Sequence, residues 1–192
     1  MLKDDHDRVK KLFDEFESAK ARPAKKKIAA QTLTELKLHA ALEEDIFYAA
    51  VRKKIEKKVM NEADEEHHVA KVLIAELEAM NGAEDHYDAK YQVLSENVRH
   101  HIKEEESDML PKARGLNIDY DQLGEQMRRH KRQLLAKGFP TVGEETMVAA
   151  SRGKGDSPAK AAKKQLRPGQ SRKSSRSRFK PTHSRKPSRG VR

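Results

Sequence analysis

Apolar residues recur at alternating intervals of three and four along four runs of the chain, the period that keeps one stripe of a helix against its neighbours. The first stripe reads Leu2, His6, Val9, Phe13, Phe16, and the second Leu36, His39, Glu43, Ile46, Ala50. The third reads Met60, Ala63, His67, Ala70, Ile74, Leu77, and the fourth Tyr87, Tyr91, Leu94, Val98, His101, Glu105, Met109. Pro23, the triplet Asn81-Gly82-Ala83, and Pro111 with Gly115 punctuate these runs, because proline and glycine disfavour continued helix. A fifth run from about Tyr120 to Lys137 stops at Gly138-Phe139-Pro140 and is expected to pack across the bundle or extend from it. The pattern predicts an all-α domain over residues 1–140, built on four antiparallel helices with one additional C-terminal helix.

From about Val142 the periodicity dissolves, and residues 141–192 are predicted to be a disordered tail rich in Lys, Arg and Ser. The net charge of +10 hides a division: residues 151–192 carry 15 Lys and Arg against the single Asp156, whereas residues 1–150 carry 26 basic and 30 acidic side chains. The basic character belongs to the tail and not to the helical domain. Zero cysteines excludes disulfides and thiolate metal sites, leaving imidazole and carboxylate as the donors available to a metal. The chain opens Met1-Leu2-Lys3-Asp4-Asp5-His6 without an apolar run of the signal-peptide kind, and no stretch is apolar enough to span a bilayer. A cytoplasmic protein is expected.

Every stripe is interrupted by a polar residue in its interior. A polar group in a packed core costs about 1–3 kcal/mol unless a partner satisfies it, and an unpaired carboxylate costs more. Metal cations would remove that cost by turning His6, His39, Glu43, His67, His101 and Glu105 into bonded ligands. His39 with Glu43 and His101 with Glu105 are each four apart, so each pair shares one helix face.

Register offers a separate test, since ligands on adjacent antiparallel helices sit equidistant from the turn between them. The midpoint of His6 and His39 falls beside Pro23, and that of His67 and His101 at residue 84, beside Asn81-Gly82-Ala83. The midpoint of Glu43 and His67 is residue 55, which predicts a turn within Arg52 to Lys58 although that segment has no Gly or Pro. His68 and His100 fall one position off their stripes and are expected to flank the site, while His86 and His130 read as solvent-facing.

The residues Asp5-His6-Asp7, His39-Ala40-Ala41-Leu42-Glu43-Glu44, Glu66-His67-His68, and His101-Ile102-Lys103-Glu104-Glu105-Glu106 before Met109-Leu110-Pro111 resemble the hemerythrin-like family of HHE cation-binding domains. The resemblance covers about residues 1–137. It implies an up-down-up-down bundle and a non-haem di-iron centre bridged by two carboxylates and an exogenous oxygen; manganese and zinc also suit these donors. The family's oxygen carriers have a further histidine four positions after the one matching His67, where this chain has Lys71. The His39 element continues Asp45-Ile46-Phe47-Tyr48 without the proline often found in relatives, so its helix is expected to run on. Tyr48 is either a substitute ligand or a packed core or rim residue.

Open coordination positions suggest binding of, or reaction with, O2, NO or peroxide, in sensing, detoxification or peroxide decomposition, rather than bulk oxygen transport. The tail suggests a different class, a nucleic-acid-associated protein, because its net +14 would release counterions from phosphate backbones. Ser157-Pro158-Ala159-Lys160 and the following Ala161-Ala162-Lys163-Lys164 are similar to histone-like tails. A solvated tail, or one that touches acidic lipids or proteins, is the competing reading of the same charge.

Overall fold

The computed structural model describes residues 1–153. The fold is all-α, with no strand among the described residues. Four long helices form an up-down-up-down bundle: α1 (Leu2–Ser18), α2 (Arg22–Leu42), α4 (Lys57–Glu78) and α5 (Tyr87–Glu104). The short α3 (Tyr48–Val51) and α6 (Leu110–Arg114) prolong α2 and α5, and α7 (Tyr120–Lys137) and α8 (Gly143–Gly153) complete the order. Helix α1 packs on α2 and α4 on α5, while α2 touches α4 and α1 touches α5 to close the bundle.

Both His-x3-Glu elements pass into a five-residue π-helical turn at the glutamate itself, Glu43–Phe47 and Glu105–Met109. The N–H of Tyr48 bonds the Glu43 carbonyl and that of Leu110 bonds the Glu105 carbonyl, five residues back in each case. Such single-turn insertions are frequent at functional sites. The extra residue rotates the helix beyond it: after Glu43 the core positions are Phe47, Tyr48 and Val51, and Ile46 and Ala50 are only partly buried. This corrects the expected stripe, which assumed a regular helix through residue 50.

Pro111 does not end the fourth run. It stands in the first turn of α6, where a missing N–H and a fixed φ are tolerated, and the helix stops at Gly115. The absent proline after Glu43 gives no longer helix either, since the two extensions end comparably, at Val51 and Arg114. The break predicted near residue 55 is present between Val51 and Lys57. Tertiary contacts hold it: Ile55 is buried in the core, Lys54 donates to the Asn117 carbonyl at 3.0 Å, and Arg52 donates to Asp64 at 2.7 and 2.8 Å.

Helix α7 begins at Asp119, whose side chain accepts the Gln122 N–H at 2.9 Å. It ends at Gly138, whose φ of 84° lies in the left-handed region. Its buried Leu123 and Met127 join a lower apolar cluster containing Leu42, Phe47, Tyr48, Met60 and Met109, so it packs across the bundle near α2 and the first π turn. Phe13, Phe16, Leu33, Leu77, Tyr91 and Leu94 belong to an upper cluster. The residue levels 6, 39–43, 67 and 101–105 form a polar layer between the two.

Residues 143–153 are helical, which corrects the expectation of disorder from residue 141. Helix α8 packs on α4, burying Val148, and its Glu144 and Glu145 accept from His68 and Lys37 at 2.8 and 2.7 Å. One buried valine and two charged anchors are too sparse to produce a stripe in the sequence. The helical domain thus extends past 140 to at least 153, and the predicted disorder of residues 154–192 lies outside the described residues. No helix among the described residues is long and apolar enough to cross a membrane.

Candidate metal centre

His6 projects from α1, His39 and Glu43 from α2 and its π turn, His67 from α4, and His101 and Glu105 from α5 and its π turn. All six are buried, and Glu43 and His6 are wholly so. The imidazoles form two matched pairs: His6 Nε2 lies 3.1 Å from His39 Nε2, and His67 Nε2 lies 3.1 Å from His101 Nε2. The ring centroids are 4.7 Å apart in both pairs, with interplanar angles of 74° and 66°. Two donors about 2.1 Å from one ion at a right angle stand roughly 3 Å apart, the spacing seen here.

Glu43 divides its carboxylate between the pairs. Oε1 lies 3.2 Å from His39 Nε2 and 4.0 Å from His6 Nε2, and Oε2 lies 3.3 Å from His67 Nε2 and 3.9 Å from His101 Nε2. Glu105 behaves differently. Its Oε1 accepts the Tyr48 hydroxyl at 2.9 Å, leaving Oε2 at 3.3 Å from His6 Nε2 and 3.6 Å from His101 Nε2.

Three histidines are oriented from outside the layer. The Nδ1–H of His67 donates to Glu44 at 2.8 Å, that of His101 to Glu66 at 2.8 Å, and that of His6 to Glu106 at 2.9 Å. Such bonds commit the Nδ1 proton and turn the Nε2 lone pairs inward, as in carboxylate–histidine–metal sites. In His67 and His101 two lone pairs then face each other at 3.1 Å, which is repulsive unless a cation or a proton lies beside them. His39 is the exception, its Nδ1 lacking a partner among the described residues, as does Oδ2 of the buried Asp5.

This layer is not a satisfied polar core. Both oxygens of Glu43 and Oε2 of Glu105 are buried without a hydrogen-bond donor, whereas the buried Thr32 and Tyr91 hydroxyls nearby pair at 2.7 Å. The donor set therefore fits cations: unpaired carboxylate oxygens and inward imidazole lone pairs converge within ligand distance of one another.

The hemerythrin HHE cation-binding domain profile matches residues 1–113. The chain belongs to that family. A hemerythrin HHE cation-binding domain-containing protein from Mycobacterium kansasii, solved by crystallography, has the same fold: TM-score 0.60 at 23% identity over 77% of this chain and 95% of that one. No curated protein matches the chain.

Electrostatics in this HHE domain arise from two buried carboxylates among four imidazoles. Burial pushes the His101 imidazole down, but the neighbouring carboxylate of Glu43, the bond to Glu66 and the charge of Glu105 outweigh it and hold it at about 10. His6 and His67 are raised for the same reason, mainly by Glu105 and Glu43 respectively. His39, with no carboxylate at Nδ1, is pushed by burial down to about 4. Burial raises Glu43, yet the surrounding imidazoles take it well below the carboxylate range, and burial beside Glu43 then raises Glu105. Burial and the same two carboxylates push the Tyr48 hydroxyl up.

Tyr48 is a core residue that also reaches the ligand layer, with its hydroxyl 3.2 Å from His67 Nε2. His68 points out of the layer toward Glu144, and His100 lies at the surface. His130, expected to face solvent, is half-buried because its ring pairs with Asp45 at 2.8 Å. Lys71 donates to Glu44 at 3.0 Å and thereby holds the carboxylate that orients His67. The orienting residues Glu44, Glu66 and Glu106 went unassigned in the sequence. The signal was present in the doubled acids Glu43-Glu44 and Glu105-Glu106, and in Glu66 preceding His67.

Proposed function

We propose that this chain is a non-haem di-iron protein that binds or reacts with O2, NO or peroxide. His6, His39, one oxygen of Glu43 and Glu105 would hold one ion, and His67, His101 and the other oxygen of Glu43 would hold the second. The observation that carries the reading is the division of the wholly buried, donor-less Glu43 carboxylate between two imidazole pairs. Iron would supply open coordination positions and reversible electron transfer.

The chain's own residues supply the rest. Tyr48 has its hydroxyl 3.2 Å from His67 Nε2 and would serve as a substitute ligand where Lys71 stands in place of the oxygen carriers' further histidine. A cavity of about 30 Å³ borders His39, His67 and His101, walled by Leu36, Ile74 and Val98. That volume admits a water or a diatomic molecule. Asn97, Glu66 and Lys71 also line it, and Asn97 carries a buried Oδ1 lacking a partner among the described residues. Apolar clusters above and below limit water, which favours a diatomic or peroxide over larger substrates.

The experiment is to purify the chain from iron-replete cells, measure bound metal and the near-ultraviolet oxo-to-iron absorption, and expose the reduced form to O2, NO and peroxide. Spectral change with at least one of the three supports the reading. Inertness of the iron-loaded protein to all three overturns it.

The net +14 of residues 151–192 supports a second role, non-specific attachment to nucleic acid. Binding to duplex DNA that falls steeply with salt and disappears when residues 154–192 are removed is the expected result. Binding that is insensitive to salt or independent of the tail overturns it.

A further inference from the structure

On the α4–α5 side of the bundle a cavity of about 300 Å³ is lined by the carboxylates of Glu62, Glu66, Glu104 and Asp108, with Lys58 as its one lysine or arginine. Such a concentration of one sign draws cations from solution. Its inner wall includes His101 and Glu105, two residues of the buried layer. Glu105 is 1% exposed and carries the oxygen without a donor, so a buried, unsatisfied carboxylate lines the same space.

The exposed imidazole of His100 sits beside this cavity, its Nε2 3.2 Å from Glu104 Oε1 and 3.6 Å from Glu66 Oε1. The three donors lie within 4.8 Å of one another. His100 and Glu104 repeat the His-x3-Glu spacing one residue before His101 and Glu105, so one helix presents the same donor pair inward and outward. Glu66 joins the two. Its Oε2 accepts from His101 Nδ1 at 2.8 Å while its Oε1 faces His100. The corresponding carboxylates Glu44 and Glu106 have their charge met by Lys71 and Lys10, but among the described residues Glu66 has no lysine or arginine partner.

We propose that Glu66, His100 and Glu104 form a third divalent-cation site at the mouth of this cavity, through which the buried pair is filled and emptied. One imidazole and two carboxylates suit Fe(II), Mn(II), Co(II) or Zn(II). With few protein donors and an exposed position, the site binds more weakly than the buried ones and releases its ion. The proposal rests on the reading of the buried layer as a metal centre.

Anaerobic titration of the metal-free full chain with Co(II) tests it, with the rate of filling followed by stopped-flow absorption. The wild type is expected to take two ions tightly and a third more weakly. In the double variant His100→Gln, Glu104→Gln the two tight ions remain, the weaker one is lost, and filling slows at least tenfold. Both residues lie at the surface, and circular dichroism checks that the variant folds. Two tight ions in the wild type, no third, and an unchanged filling rate in the variant overturn the entry site and leave the buried centre standing. A wild type that takes no tight ion overturns both.

Discussion

Removing the metal leaves the polar layer in a measurably costly state. Three carboxylate oxygens, both of Glu43 and Oε2 of Glu105, are buried without a donor. At about 1–3 kcal/mol each, their exposure to an apolar core amounts to roughly 3–9 kcal/mol, a large part of the ~5–15 kcal/mol that holds an ordinary domain together. For a chain of this size about 2–4 °C of Tm corresponds to each kcal/mol, so chelation is expected to lower Tm by roughly 6–36 °C.

Protons offset part of that cost, and they fix the pH dependence. His101 stands at about 10 in the metal-free layer against 6.5 for an ordinary histidine. A raised imidazole contributes stability that is complete below 6.5 and is lost as pH climbs through the folded value. The metal-free domain should therefore weaken between pH 6.5 and 10, by up to about 5 kcal/mol from His101 alone at roughly 1.4 kcal/mol per pH unit. Loading displaces those protons, so the loaded domain should not show the same slope. Thermal melts by circular dichroism with and without chelator, at several pH values, give the test. The gap between the two Tm values should widen as pH rises from 6.5 to 10. A protein shown to have lost its metal yet keeping the same Tm across that range would refute the reasoning.

Three further outcomes are expected from the same geometry. Glu43→Gln preserves volume but removes the charge shared by the imidazole pairs; metal content should fall to one ion per chain or fewer, and chelator should move Tm by less than in the wild type. Glu66→Gln weakens the acceptor for His101 Nδ1–H and should reduce metal affinity by about 10–100-fold, read by competition with a chromophoric chelator; unchanged affinity contradicts the orienting role. Ending the chain at residue 140 removes α8, unburies the surface under Val148, frees His68 and leaves Lys37 with Glu78 alone, at a cost of about 1.5–3 kcal/mol for the valine contact; a Tm equal to that of the full chain would show that α8 does not contribute.

The four stripes were legible because side chains at three- and four-residue spacing obey the geometry of a helix, and all seven residues of the fourth stripe are buried. The six candidate ligands were legible because polar residues in such stripes are conspicuous. Three features were not. The π turns insert a residue without any glycine or proline to mark them, and they moved the core from Ile46 and Ala50 to Phe47, Tyr48 and Val51. The outer carboxylates sit beside ligands in sequence but serve histidines on other helices, as Glu44 serves His67. Helix α8 depends on contacts to His68 and Lys37, far away in the chain, and its own residues carry little periodicity.

The central claim is that Glu43 holds two metal ions at once. Iron analysis of the purified oxidised chain, combined with electron paramagnetic resonance, tests it most directly. The account predicts two irons per chain with no ferric resonance, because a shared carboxylate and oxygen bridge couples their spins. A folded protein with one iron per chain, or two irons giving the resonance of isolated ferric ions, would contradict it.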